Sequence, residues 1–225
     1  MIQIMPVRAF VFDAYGTLFD VHAAIARHRA AAGPDADRLS ELWRTKQLEY
    51  TWALTLIGRY EPFWQLTERA LDFALARFPS VDPGLKPKLL EAYRELGAFP
   101  DACAALEALK AKGYPTAILS NGSPEMLAAA VTAAGLSKLL DHVLSVDVIR
   151  IYKPRREVYA LATKAMALPP EAIGFVSSNR WDVAGAAAAG MTAIWINRGG
   201  APAEYGEFAP TATLKSLAEL AQLPV

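Results

Sequence analysis

The sequence has too little of several features to belong to some large classes of protein. Its 225 residues include one cysteine, Cys103, so a disulfide within the chain is excluded. Charged residues, glycine or proline interrupt every apolar run before it reaches the roughly 20 residues that cross a bilayer. Basic and acidic residues both number 23, which leaves no net charge to attract nucleic acid or an anionic membrane. We therefore expect a small-molecule partner, bound in a local pocket.

The cellular compartment follows from the same scarcities. Met1 to Ile4 lead into a strand-like segment without the charged region and cleavage site of a secretory signal. A lone cysteine suits a reducing environment. These features predict a cytoplasmic location.

Histidine is scarce as well, and its three copies form no pattern. His22, His28 and His142 are scattered along the chain without the spacing of metal ligands. We assign no catalytic role to histidine, so acid–base chemistry must fall to other side chains.

Hydrophobic residues make up 53% of the chain and are gathered into short runs. Their apolar character is continuous rather than alternating, which is typical of strands covered on both faces of a parallel sheet. The stretches between them are rich in alanine, leucine, lysine and glutamate at helical spacing, and Gly113 and Gly135 stand where helices end. The pattern predicts a doubly wound α/β core. Its predicted strands are 7–13, 116–121, 142–146, 172–177 and 192–197, and its predicted helices are 101–112, 124–134, 155–167 and 184–189.

A long insert separates the first two predicted strands. Residues 19–97 carry helical patterns and no strand-like run. Most of the many aromatic residues in this stretch are expected to pack a small helical bundle, with one or two facing a pocket. We predict a helical cap domain of residues 19–97, inserted into a core domain of residues 1–18 and 98–225.

Polar residues stand at or just beyond the ends of four predicted strands. Asp13 ends the first, Ser120 and Asn121 end the second, and Ser177 ends the fourth, while Lys153 comes a few residues after the third. Ligands of an open α/β sheet bind beyond the carboxyl ends of its strands. We therefore expect these side chains to converge at one edge of the sheet.

The order of these motifs resembles the haloacid dehalogenase superfamily over essentially the whole chain. Longer stretches around Asp13, Arg44 and Asp182 resemble its L-2-haloacid dehalogenase family. The resemblance implies a Rossmann-like core with an inserted cap, a homodimer, and hydrolysis of short (S)-2-haloalkanoic acids to (R)-2-hydroxy acids with inversion at C2. The motifs are Phe-Asp13-Ala-Tyr15-Gly-Thr17-Leu, Leu-Trp-Arg44-Thr-Lys-Gln-Leu-Glu-Tyr-Thr-Trp52, Ser120-Asn121-Gly, Lys153-Pro154 and Ser177-Ser-Asn179-Arg-Trp181-Asp182.

The resemblance also implies roles for individual residues. Asp13 is the nucleophile that forms an aspartyl ester, and Arg44 and Asn121 receive the leaving halide. The Lys153 cation keeps the buried Asp13 carboxylate ionised, and Asp182 activates the water that hydrolyses the ester. The implied catalytic set is Asp13, Thr17, Arg44, Lys153, Tyr159, Ser177, Asn179 and Asp182. The implied substrate-binding set is Ala14, Tyr15, Arg44, Leu48, Phe63, Ser120, Asn121 and Trp181.

Tyr15 separates dehalogenation from phosphoryl transfer. Phosphatases of this superfamily carry a second aspartate at this position, two residues after the nucleophile, to protonate the leaving alkoxide. Halide leaves as a stable anion and needs no proton, so tyrosine suits carbon–halogen cleavage. The motif from Ser177 to Asp182 holds only one acid, which weakens a magnesium site, and we expect no metal and no cofactor. A phosphohydrolase of the same fold and a catalytically silent interaction module remain the alternatives.

Simpler structural roles compete for some of these residues. Asp13 at a strand end also suits a turn cap, and Arg44 suits an ion pair with Glu41 or Glu49 on its helix. Isolated hydroxyls commonly cap helices or satisfy strand ends. The other residues with a plain packing, capping or surface explanation are Tyr15, Thr17, Leu48, Phe63, Ser120, Lys153, Tyr159, Trp181, Arg155 and Arg156.

Overall fold

Six parallel strands form a single sheet in the computed structural model, which describes residues 6–223. Met1 to Ile4, which precede the first predicted strand, lie outside these residues. The order across the sheet is β3-β2-β1-β4-β5-β6, so the first strand lies near the centre. Five strands are those predicted, and the doubly wound α/β fold is confirmed. The strands are β1 Ala9–Phe12, β2 Thr116–Ser120, β3 His142–Ser145, β4 Ile173–Ser177, β5 Thr192–Ile196 and β6 Ala212–Leu214.

Burial of the strands follows their place in the sheet. Every residue of β1, β2 and β4 is buried, as the continuous apolar runs predict. The same expectation is wrong for β3, where His142 and Val143 are exposed. Among the strands of residues 6–223, β3 lies at the edge of the sheet and pairs only with β2, so its outer side has no partner there.

The helical insert, residues 19–97, lies between β1 and β2 and contains no named strand. Its two longest helices, α3 and α4, pack against each other, and the indole of Trp43 donates a hydrogen bond of 2.9 Å to the Thr67 carbonyl. The chain enters and leaves the insert at one place, because Phe19 and Ala98 form an antiparallel bridge. The helices are α1 Ala23–Ala26, α2 Arg29–Ala32, α3 Ala36–Leu56, α4 Phe63–Arg77 and α5 Lys86–Arg94.

Four longer helices connect the strands outside the insert. Gly113 and Gly135, just after two of them, have positive φ angles of 80° and 69°, which glycine adopts without strain. Pro124 occupies the first turn of α7, where its missing backbone N–H costs no helical hydrogen bond. No helix within residues 6–223 is long and apolar enough to cross a membrane. These helices are α6 Ala102–Ala111, α7 Pro124–Ala133, α8 Arg156–Met166 and α9 Arg180–Ala188.

Candidate active site

The carboxylate of Asp13 lies just beyond β1 and is held at both oxygens. Its Oδ2 accepts hydrogen bonds from the Thr17 hydroxyl at 3.0 Å and from the Asn179 amide at 2.8 Å. Its Oδ1 accepts one from the Lys153 ammonium at 3.1 Å. Asp13 is only 5% exposed, so these contacts replace most of the water that would otherwise solvate the charge.

Lys153 is shared between two buried carboxylates. Its Nζ lies 3.1 Å from Asp13 and 2.8 Å from Asp182, with 1% of its side chain exposed. Burial lowers the pKa of Lys153, but attraction to Asp13 and Asp182 outweighs burial and leaves the pKa raised. The ammonium also lies 5.0 Å from the ring centroid of Phe175. Lys153 is therefore a buried cation rather than a solvated surface charge.

Asp182 is the second carboxylate, in the first turn of α9. It is completely buried, and its Oδ1 accepts a hydrogen bond of 2.7 Å from the Tyr159 hydroxyl. Burial raises the pKa of Asp182 to about 6, the nearby Asp13 adds to the rise, and Lys153 opposes it. A carboxyl whose pKa is raised in this way is better suited to accept a proton than an ordinary aspartate.

A tight set of hydrogen bonds joins the turn after β4 to the turn after β1. The backbone amide of Ser178 donates to the Thr17 hydroxyl at 2.9 Å, and the backbone amide of Asn179 donates to the Ser177 hydroxyl at 3.1 Å. Ser177 therefore shapes the turn that carries Asn179, and its hydroxyl has no hydrogen bond to Asp13 among the described residues.

The end of β2 fixes the backbone around Lys153. Asn121 accepts a hydrogen bond of 3.1 Å from the Lys153 backbone amide, and the Ser120 hydroxyl accepts one of 3.1 Å from the Gly122 amide. Both side chains are buried. The four strand ends singled out in the sequence therefore meet at one edge of the sheet.

Arg44 reaches the same edge from α3 of the helical insert. One of its guanidinium nitrogens donates a hydrogen bond of 3.0 Å to the carbonyl of Tyr15, which also accepts one of 3.3 Å from Asn179. Glu49 instead pairs with Lys46. Leu48 lies one turn after Arg44 on α3 and is half-buried.

Aromatic side chains enclose the edge of the sheet that holds Asp13. The buried ring of Tyr15 stacks on Tyr93 at a centroid distance of 5.7 Å and contacts Phe63 at 6.2 Å. Trp181, half-buried on α9, meets Trp52 edge to face at 5.5 Å. A recess of about 530 Å³ opens beside these tryptophans and reaches Lys153; its other lining residues include Pro154, Gly185, Tyr205 and Phe208.

Gly185 and Phe175 also shape the site, although the sequence analysis did not predict them as site residues. A Cβ atom on Gly185 would collide with the Tyr159 hydroxyl, so glycine makes room for the contact between Tyr159 and Asp182. Phe175 packs edge to face against Tyr159 at 5.4 Å. A signal for Gly185 was present, since glycine inside an alanine-rich helix lowers helix stability and usually has a packing reason. Arg155 and Arg156 are exposed, as expected.

Comparison with known proteins identifies the family of this chain. The model of the haloacid dehalogenase-like hydrolases matches residues 7–190. (S)-2-haloacid dehalogenase 1 of Pseudomonas sp. (strain CBS-3) is 53% identical over 220 residues, which is 97% of this chain and 96% of that protein. The chain belongs to the (S)-2-haloacid dehalogenase family of haloacid dehalogenase-like hydrolases. The resemblance seen in the motifs is confirmed.

Solved structures of other dehalogenases share the fold of this chain. A crystal structure of a dehalogenase with an intermediate complex superposes with a TM-score of 0.94 at 47% identity, covering 97% of both chains. The L-2-haloacid dehalogenase of Xanthobacter autotrophicus, solved with chloropropionic acid covalently bound, has a TM-score of 0.85 at 35% identity, with 96% of this chain and 98% of that chain covered.

Proposed function

We propose that this chain hydrolyses short (S)-2-haloalkanoic acids to (R)-2-hydroxy acids and halide, through an ester formed on Asp13. The observation that carries the proposal is the buried Asp13 carboxylate, held by Lys153 at one oxygen and by Thr17 and Asn179 at the other. A carboxylate held in this way stays ionised and oriented, which a nucleophile requires. The covalently bound chloropropionic acid in the Xanthobacter autotrophicus enzyme supports an ester intermediate.

In the first step an oxygen of Asp13 attacks C2 of the haloacid from the side opposite the halogen. The C–O bond forms as the carbon–halogen bond breaks, and the halide leaves with the bonding electrons. Arg44 and Asn121 receive the halide, because a guanidinium and an amide both donate N–H groups to anions. Attack from the back inverts the configuration at C2.

In the second step water hydrolyses the ester. Asp182 takes a proton from the water, and the resulting hydroxide adds to the carbonyl carbon of Asp13 rather than to C2. Collapse of the adduct expels the alkoxide, which takes the remaining proton of the added water, so that the 2-hydroxy acid leaves and the Asp13 carboxylate is restored. The proton on Asp182 then passes to solvent. Tyr159 and Lys153 hold Asp182, and Ser177 shapes the turn of Asn179.

The substrate carboxylate binds at the turn after β1 and the end of β2. The backbone amides of Ala14 and Tyr15 donate to no other backbone group within residues 6–223, so both are available to an anion. Ser120 lies at the neighbouring strand end. Leu48, Phe63 and Trp181 supply the apolar wall for the alkyl part of the substrate, as in most small-ligand pockets.

Tyr15 argues against the phosphohydrolase alternative. Its ring is packed between Tyr93 and Phe63, and burial raises the pKa of its hydroxyl well above the usual value. A phenol in this state is a poor substitute for the aspartic acid that protonates an alkoxide. The site therefore favours a leaving group that needs no proton.

The helical insert acts as the cap domain of this enzyme. With residues 19–97 as the cap and residues 1–18 and 98–225 as the core, Arg44 comes from the cap and hydrogen-bonds the Tyr15 carbonyl, two residues after Asp13 of the core. Closing the cap excludes water during halide displacement. A homodimer and a cytoplasmic location are further proposals, and light scattering of the purified protein tests the first.

A substrate panel tests the reaction. Halide release from both enantiomers of 2-chloropropionate is measured with EDTA, beside phosphate release from a phosphate ester with Mg²⁺. We expect halide only from the S enantiomer, without a metal. Phosphate release alone would overturn the proposal.

A single turnover in ¹⁸O water tests the nucleophile, with enzyme in excess over substrate. Water adds to the carbonyl of the Asp13 ester, so the peptide that contains Asp13 gains ¹⁸O and the hydroxy acid does not. Direct attack of water on C2 gives the reverse labelling. Asp13→Asn is the control and should release no halide.

A further inference from the structure

Tyr152 lies immediately before Lys153 and is surrounded by residues of the helical insert. It is completely buried, and its ring stacks on Tyr60 at a centroid distance of 5.1 Å and contacts Phe63 at 6.2 Å. Its hydroxyl donates a hydrogen bond of 2.6 Å to the carbonyl of Glu61. Residues of the insert thus hold Tyr152 in place, although Tyr152 lies outside the insert and next to Lys153.

The contact extends along the segment that leads from β3 to Lys153. The hydroxyl of Tyr60 donates a hydrogen bond to the carboxylate of Asp147, and the guanidinium of Arg150 lies 5.2 Å from the Tyr60 ring centroid. Burial, and then the neighbouring Asp147, raise the pKa of Tyr60, so its hydroxyl stays protonated and able to donate. The insert therefore holds residues 147–152 at both ends.

We propose that Tyr60 and Tyr152 are positioning residues through which the helical insert sets the place of the Lys153 ammonium between Asp13 and Asp182. The inference deepens the proposed function and rests on it. Lys153 is 1% exposed and reaches both carboxylates at hydrogen-bond distance, so a displaced backbone at Tyr152 moves the ammonium away from at least one of them.

The pKa of Asp182 depends on the position of the Lys153 ammonium. Within the described residues, the titratable groups that contact Asp182 or shift its pKa are Lys153, Asp13 and Tyr159. Lys153 lowers the pKa of Asp182, whereas burial and Asp13 raise it. If the ammonium recedes, the pKa of Asp182 rises above about 6 and more of the base is protonated at neutral pH.

The test is Tyr60→Leu, which removes the stacked ring and the hydroxyl together. The carboxyl carbon of Asp182 is followed by ¹³C NMR across pH 4 to 9, assigned by its absence in Asp182→Asn. We expect an upward shift of about half a pH unit, a fraction of the 1–3 units that one neighbouring charge supplies. Halide release at pH 5.5 should fall about two- to threefold in kcat with little change in KM, because the ionised fraction of Asp182 falls from roughly a quarter to roughly a tenth.

Two further variants separate positioning from general destabilisation. Tyr60→Phe keeps the stacked ring and should restore most of the Asp182 titration. Tyr50→Leu removes a tyrosine of α3 whose ring faces Arg69, another residue of the insert, and should leave the titration unchanged. If Tyr60→Leu does not fold, Tyr152→Phe removes only the hydrogen bond to Glu61 and gives a smaller shift in the same direction.

The result that overturns the inference is a folded Tyr60→Leu protein whose Asp182 titrates as in the wild type. An equal shift in Tyr50→Leu also overturns it. Failure of the proposed function is distinguishable, because the NMR titration needs no turnover. A wild-type enzyme that releases no halide refutes the proposed function whatever Asp182 does.

Discussion

Replacing Lys153 with methionine tests whether two buried carboxylates depend on one shared cation. Methionine keeps much of the side-chain volume and removes the ammonium that contacts Asp13 at 3.1 Å and Asp182 at 2.8 Å. Removing one partner of a buried ion pair typically destabilises a protein by about 3–5 kcal/mol. We expect a loss of that size in the free energy of unfolding at pH 7.5, together with loss of halide release.

The loss should depend on pH, because Asp182 is already difficult to ionise. Its pKa is raised from 3.8 to about 6 by burial, against the opposing attraction of Lys153. Without the ammonium this pKa rises further, and buried carboxyl groups reach about 8. A carboxyl whose folded pKa exceeds its unfolded value destabilises the fold at high pH, and the destabilisation fades as the pH falls toward the unfolded value.

The magnitude follows from the two pKa values. When the pH is lowered from 7.5 to 5.5, a carboxyl with a folded pKa near 8 increases the free energy of unfolding by about 2.5 kcal/mol. One with a folded pKa near 6 increases it by about 0.8 kcal/mol. The difference in unfolding free energy between wild type and Lys153→Met should therefore shrink by about 2 kcal/mol over this range. Urea unfolding at the two pH values measures it.

A matched control comes from a pair near the surface. Lys110→Met removes the partner of Asp141, a partly exposed pair at 2.8 Å, and should cost less than about 1 kcal/mol at both pH values. A destabilisation by Lys153→Met that is the same at pH 7.5 and 5.5 refutes the reasoning about the shared cation.

Three further outcomes are expected. Halide release should fall as the pH drops below about 6, because Asp182 then carries the proton that a base must lack; a flat rate profile down to pH 5 contradicts this. Arg44→Lys should slow halide release at least about tenfold in steady-state assays, since losing a charge-assisted hydrogen bond costs about 1.5–3 kcal/mol, and near-normal turnover would exclude the role of Arg44. Gly185→Ala puts a methyl group against the Tyr159 hydroxyl and 2.7 Å from Cβ of Pro154. Thermal and urea unfolding should show a loss of about 1–3 kcal/mol. Gly97→Ala, where a Cβ meets no atom within 4 Å, is the control and should be near neutral.

The sequence predicted those parts of the fold that have a strong local pattern. β1, β2 and β4 are continuous apolar runs because helices cover both faces of the sheet there. β6 has three residues and one buried side chain, Leu214, which is too little to stand out from a loop. The exposure of β3 depends on strand order, and no local pattern encodes that order.

The candidate site could also be predicted only in part. The motifs pointed to Asp13, Lys153 and Asp182, and the structure places them in hydrogen-bond contact. The contacts of Tyr152 with the helical insert could not be predicted, because they join residues about 90 positions apart that share no motif. Roles that arise from packing between distant segments become visible only in three dimensions.

The central place of β1 has a consequence for how the protein is made. Phe10 pairs with Thr116 on one side, and Ala9 pairs with Ile173 on the other. A ribosome therefore completes most of the chain before the first strand can gain both neighbours, and such distant pairings make folding slow. Until then the newly made N-terminal segment exposes an unpaired apolar strand that is prone to aggregation. Asp13 is thus translated among the first residues and acquires its surroundings among the last.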